Sequence, residues 1–145
     1  MTARRPKDIG TAAETAVVWA ARDRGFGAAD RYALHGSGDI GDIKLCPGVI
    51  VEVKGGHMAW NASDRNVEDW LDETDRERDA AGATFAFLVV QRQHVGARNA
   101  CRWWAYARLS WLILGPTTTT LHMPIRMTLD DMLTVVLAAG YPTGA

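Results

Sequence analysis

Residues 49 to 54 read Val-Ile-Val-Glu-Val-Lys, an apolar run that ends on two opposite charges. Side chains at i and i+2 share one face of a strand. As a strand, this run turns Glu52 and Lys54 one way and Val51 and Val53 the other. Charges in such a place are costly to bury unless they pair or bind a metal. Asp42, on a preceding strand across a short turn, can bring a second carboxylate to the same patch. Two carboxylates and a backbone carbonyl make a hard, oxygen-rich site suited to Mg²⁺. A lysine beside it can orient or activate a water. The plainer reading is a Glu–Lys cross-strand pair in solvent. The glycine-rich loop before Asp42 and the apolar strands around Glu52 favour the site.

The chain has 145 residues, which suits one domain over 1–145 with a substantial core. Thr11 to Glu14 fits a capping box before an apolar run, which makes Glu14 a servant of the helix N-terminus. Ala13, Ala16, Val17, Ala20 and Ala21 then recur at helical spacing, and Gly25 can close the helix. Arg31 to His35 reads as a short strand, followed by the loop Gly36 to Gly41. Ile43 and Leu45 continue a strand, Pro47-Gly48 turns, and Val49 to Lys54 returns. A second helix runs from about Asn66 to Ala81, capped by Ser63 or Asp64 and ended by Gly82, with Val67, Trp70, Leu71 and Thr74 inward. Thr84 to Val90 is a buried strand and Arg102 to Ala107 another. Residues 108–114 fit strand or helix, and 115–120 a loop. Thr128 to Asp131 opens a last helix that Gly140 and Pro142 stop. The result is an α/β fold, a central mixed β-sheet of about five strands flanked by helices.

Net charge is −1, so distribution matters more than the total. The acids gather between Asp64 and Asp79, and the rest is net basic. Arg4, Arg5 and Lys7 form a basic N-terminal arm. Arg92, Arg98, Arg102 and Arg108 form a second basic region. Basic edges suit a phosphate backbone, although a solvated surface has the same composition. Cys46 and Cys101 form no CxxC pair, as expected of reduced thiols in a cytoplasmic protein. The start lacks the apolar segment of a signal peptide, and no apolar run is long enough to span a bilayer.

Other patterns carry less. Gly36-x-Gly38-x-x-Gly41 matches a dinucleotide-binding string, but strand and turn follow it where that fingerprint needs a helix. His57, His94 and His122 have no metal spacing. Trp103, Trp104, Tyr106 and Trp111 suit a core or dimer interface and less readily a base-stacking platform.

Taken together, Gly10, Glu14, Gly25-Phe26, Arg31, Gly36-Ser37-Gly38, Asp42-Ile43 and Val51-Glu52-Val53-Lys54 resemble the archaeal-type Holliday junction resolvases of the PD-(D/E)xK nuclease superfamily. The resemblance covers about the first 55 residues, and the small size is similar to phage-encoded members. It implies a restriction-endonuclease-like core and Mg²⁺- or Mn²⁺-dependent cutting of four-way DNA junctions by a homodimer, in a host cytoplasm if phage-encoded. Asp42, Glu52 and the Val53 carbonyl would hold the metal, with Glu14 as a supporting ligand. Lys54 would position or activate water, and Ser37 would sit near the scissile phosphate. Arg31 would lie at the DNA surface, where Arg4, Arg5, Lys7, His35 and Arg92 are further candidates. The hairpin between Asp42 and Glu52 must be tight, and Asp39 stays open as an alternative to Asp42. The acidic second helix is expected away from the DNA. Other nucleases of the superfamily, and a non-catalytic DNA-binding module, share the pattern.

Overall fold

The computed structural model describes residues 5–32, 41–113 and 121–143. Its sheet holds β1 (Asp30–Arg31), β2 (Ile43–Cys46), β3 (Val49–Lys54), β4 (Phe85–Val90), β5 (Trp104–Arg108) and β6 (Pro124–Thr128), in that spatial order. Only β3 and β4 run parallel; the other neighbours are antiparallel. The helices are α1 (Pro6–Asp23), α2 (His57–Trp60), α3 (Asp64–Ala81), α4 (Leu109–Leu112) and α5 (Leu129–Ala138), with a 3₁₀ turn at Ala97–Arg102. A parallel pair needs a long crossover, and α3 lies within it. Among the described residues, no helix is long and apolar enough to cross a membrane.

The strand sequences explain the layers. β4 is buried at every position and β3 at every position except Lys54, as strands covered on both faces must be. Val51, Val53, Phe87 and Val89 enter the larger core with α1 and α5. Leu88 and Val90 enter a smaller core with Val67, Trp70 and Leu71 of α3. Helix α3 starts on a capping box between Ser63 and Asn66 and stops at Gly82 in the left-handed conformation.

Several sequence expectations are corrected. Helix α1 begins at Pro6, after an extended Arg5, and not at Thr11. Proline suits the first helical position because its φ is preset and its missing N–H would have had no partner. Glu14 therefore sits inside the helix and caps nothing. The sheet has six strands and not about five. The addition, β6, is half-exposed or exposed throughout, so it shows no apolar run, and Pro124 opens it where no ladder donor is needed. Helix α5 then starts at Leu129. β1 begins at Asp30, one residue before the expected strand, and residues 33–35 of that strand lie outside the described residues. β5 starts at Trp104 because the 3₁₀ turn takes up Arg102.

The aromatic cluster and the second basic region also change meaning. Trp103 is buried and donates from Nε1 to the Val95 carbonyl at 2.8 Å. Trp104 and Trp111 are half-buried, each with an arginine guanidinium over its ring. Arg108 is buried and binds Glu68 and Asp72 of α3, each at 2.7 Å; it clamps α3 to β5 and is withheld from any surface patch.

Gly55 continues from β3 where α1 passes closest. A Cβ at this position would lie 2.7 Å from the Ala13 Cβ and 3.1 Å from Gln91 Oε1. Gly55→Ala should thus cost about 1–3 kcal/mol through overpacking, seen as a lower urea midpoint at constant m-value. An unchanged midpoint would show that α1 yields freely.

Candidate functional site

The β2–β3 hairpin sets two carboxylates side by side. Ile43 pairs with Val51, and both enter the core beneath α1. One residue before β2 and one residue on along β3, Asp42 and Glu52 follow in register on the opposite face. Asp42 N–H donates to the Val51 carbonyl at 3.1 Å, and Asp42 Oδ2 accepts from Val53 N–H at 2.8 Å. These bonds extend the hairpin past its last strand pair and hold the Asp42 carboxylate over β3. The Lys54 carbonyl accepts from Gln91 N–H at 2.9 Å, on the β4 side. The Val53 carbonyl, one residue earlier, faces the β2 edge where Asp42 sits.

Glu52 is only 3 % exposed. Its Oε1 lies 3.6 Å from Lys54 Nζ, and its Oε2 is buried with no hydrogen-bond donor. Lys54 Nζ also pairs with Glu73 Oε2 at 3.1 Å and lies 5.9 Å from the centre of the Trp70 ring. Helix α3 adds Glu77, 2 % exposed. Glu52, Glu73 and Glu77 each offer an oxygen within 4.8 Å of the others, a grouping able to hold a metal ion. From α1, Glu14 comes close enough to Asp42 to interact with it, and its Oε2 accepts from Arg31 Nε at 2.8 Å.

Electrostatics follow from this crowding. Burial first, then hydrogen bonding and charge from Glu52, pushes Asp42 up to about 8. Burial first, then Glu77, pushes Glu52 up to about 9. Burial and the Asp42 charge raise Glu14, against the pull of Arg31. For Lys54, burial acts downward, but Glu52 and Glu73 outweigh it and hold the ammonium above its ordinary value. The carboxylates outnumber Arg31 and Lys54, and a buried Glu52 oxygen lacks a donor. A hard divalent cation fits such a donor set.

Thus the structure brings Glu14, Arg31, Asp42, Glu52, Val53 and Lys54 together. It also brings Glu73 and Glu77 of the acidic helix, which were not among the expected site residues. Their signal lies in the inner stripe Val67, Trp70, Leu71, Thr74: one more helical step lands on Glu77, an acid on an apolar face. Arg5 and Lys7 are exposed at the start of α1, where Arg5 pairs with Asp8 at 3.2 Å. Arg92 follows β4, its Nη1 donating to the Arg102 carbonyl at 2.9 Å. Arg4, His35, Ser37 and Asp39 lie outside the described residues. No family model, no curated protein and no solved structure matches this chain.

Asp42 and Glu52 are raised above their unfolded values, so the native state holds protons that the unfolded chain has released. Metal-free stability should be full below about pH 4 and should fall as pH rises through about 8 and 9. Urea midpoints between pH 5 and 9 should show a loss on the order of a few kcal/mol, smaller in Glu52→Gln. A midpoint that climbs over that interval would contradict the burial of these acids.

Proposed function

We propose that this chain is a metal-dependent endodeoxyribonuclease with a restriction-endonuclease-like core, and that it resolves four-way DNA junctions. The observation that carries the reading is the register of the β2–β3 hairpin. It sets Asp42 beside Glu52, with Lys54 on the same strand face and a Glu52 oxygen left without a donor. The helix after Ser63 and the strand from Phe85 that follow the hairpin are compatible with the architecture of the resolvase resemblance.

Asp42, Glu52 and the Val53 carbonyl would hold the cation, with Glu14, Glu73 and Glu77 as neighbouring donors. A divalent ion bound there supplies positive charge to the phosphate and lowers the pKa of a bound water. The chain's own groups do the rest. Lys54 stays protonated between Glu52 and Glu73 and presents N–H donors to the attacking water and to the charge that develops on the phosphate. Arg31, held by Glu14, would bind a neighbouring phosphate oxygen. Water oxygen bonds to phosphorus in line and gives up a proton to solvent, the bond to the 3′ oxygen breaks, and that oxygen takes up a proton from solvent. The products are a 3′ hydroxyl and a 5′ phosphate. Paired nicks in a junction require two such sites, hence a two-fold homodimer. Phosphate contacts position without reading sequence, so the shape of the junction sets selectivity.

The same constellation serves other nucleases of this type, so substrate choice is the decisive measurement. Incubated with Mg²⁺ and labelled junction, duplex, flap and single-stranded DNA, the protein should place paired nicks in the junction. Cutting of linear duplex or flaps would reassign the substrate, and binding without cleavage in any divalent metal would end the enzyme reading. Glu52→Gln should abolish cleavage, by at least about a hundredfold, while junction affinity changes little. Full activity in that variant would remove Glu52 from the site.

A further inference from the structure

Two arginines share one indole on the sheet face that carries Lys54. The Arg92 and Arg126 guanidinium carbons each lie 4.0 Å from the centre of the Trp104 ring. They come from different places: Arg92 follows β4, and Arg126 lies in β6 opposite Tyr106 of β5. None of the ion pairs among the described residues includes either one. Covering an indole explains one guanidinium. It does not explain two like charges drawn to one ring with no ion pair to either among the described residues. That arrangement repels itself until an anion arrives.

Position says which anion. Lys54 pairs with Val90, and Val90 with Trp104, so Lys54 and Trp104 stand in one row across the sheet and on one face. Two strand spacings separate them, about 10 Å. On a duplex that is about three nucleotides of one strand.

We infer that Arg92 and Arg126, held on Trp104, bind the phosphate backbone of the DNA strand that runs into the Asp42–Glu52–Lys54 cluster. Guanidinium is suited to this because its planar fork meets two phosphate oxygens at once. Trp104 acts as the plate that keeps both forks in place. Arg126 is exposed and Arg92 half-buried, and Arg92 is further anchored through Nη1 on the Arg102 carbonyl. The inference rests on the nuclease reading above and adds a track for its substrate.

The test is the salt dependence of binding. Fluorescence anisotropy of a labelled four-way junction in Ca²⁺ gives the dissociation constant from low to moderate salt. Arg92→Ala with Arg126→Ala should weaken binding and flatten the plot of log affinity against log salt by about 2, roughly 0.9 for each phosphate contact. Arg126→Glu, on an exposed edge strand, provides a variant expected to fold unchanged and should weaken binding further than Arg126→Ala. A wild-type slope in the double variant, with wild-type binding intact, overturns the inference and leaves the nuclease reading standing. Failure of the wild type to bind any DNA overturns both. Sedimentation with phosphatidylserine vesicles that the double variant loses, beside an unchanged DNA slope, would assign the patch to a membrane surface and overturn the inference.

Discussion

The rest of the structure answers to one constraint, a carboxylate buried on a central strand. Glu52 sits on β3 between β2 and β4, almost wholly removed from water. An ionised, unpaired carboxylate in that place costs several kcal/mol, against a net stability of only about 5–15 kcal/mol for a whole domain. The group must therefore hold a proton or be matched by positive charge. Lys54 provides part of the match at 3.6 Å but divides itself with Glu73. Asp42 and Glu77 bring further carboxyl groups to the same place, each in competition with Glu52 for the one lysine and for protons. The region is thus far more acidic than its own cations offset, a poor arrangement for stability and a suitable one for binding a divalent ion.

Topology and chemistry are joined through α3. The helix crosses between β3 and β4 and covers the face on which Glu52 and Lys54 lie, with Trp70 and Leu71 packed against Leu88 and Val90. The same packing carries Glu73 and Glu77 inward. Arg108 fixes the outer side of that helix through Glu68 and Asp72. On the other side of the sheet, the absence of a side chain at Gly55 lets α1 approach β3, and Glu14 comes into range of Asp42. The site therefore draws on both helical layers, while its two central acids come from one hairpin.

How much of this can be read in the sequence depends on how local the cause is. The run from Val49 to Lys54 states its own strand, its two faces and the charge pair at its end. The alternation of Ile43 and Leu45 puts Asp42 in phase with Glu52. Ser63, Asn66 and Gly82 mark the limits of α3. These features depend on neighbours in the chain. The fate of Arg108 does not: an arginine in a basic stretch becomes a buried clamp only because α3 presents Glu68 and Asp72 to it. β6 has too little apolar patterning to announce itself, and with it Arg126 stays hidden as a partner of Trp104. Helix α1 begins earlier than Thr11-x-x-Glu14 suggests because Pro6 is already a sound first residue. Glu77 was legible as an acid on an inward stripe, but its meaning required knowing that Glu52 waits opposite.

The parallel pairing of β3 with β4 also bears on when the site comes into being. Residues 55–84 must be closed into a crossover before Val49 to Lys54 can align with Phe85 to Val90, and long-range pairings of this kind are slow steps in folding. Glu73 and Glu77 reach Glu52 only when that crossover has docked. A nascent chain that has made its hairpin but not its crossover carries Asp42 and Glu52 without their full surroundings. The full grouping of Glu52, Glu73 and Glu77 thus depends on a long-range pairing and not on the hairpin alone.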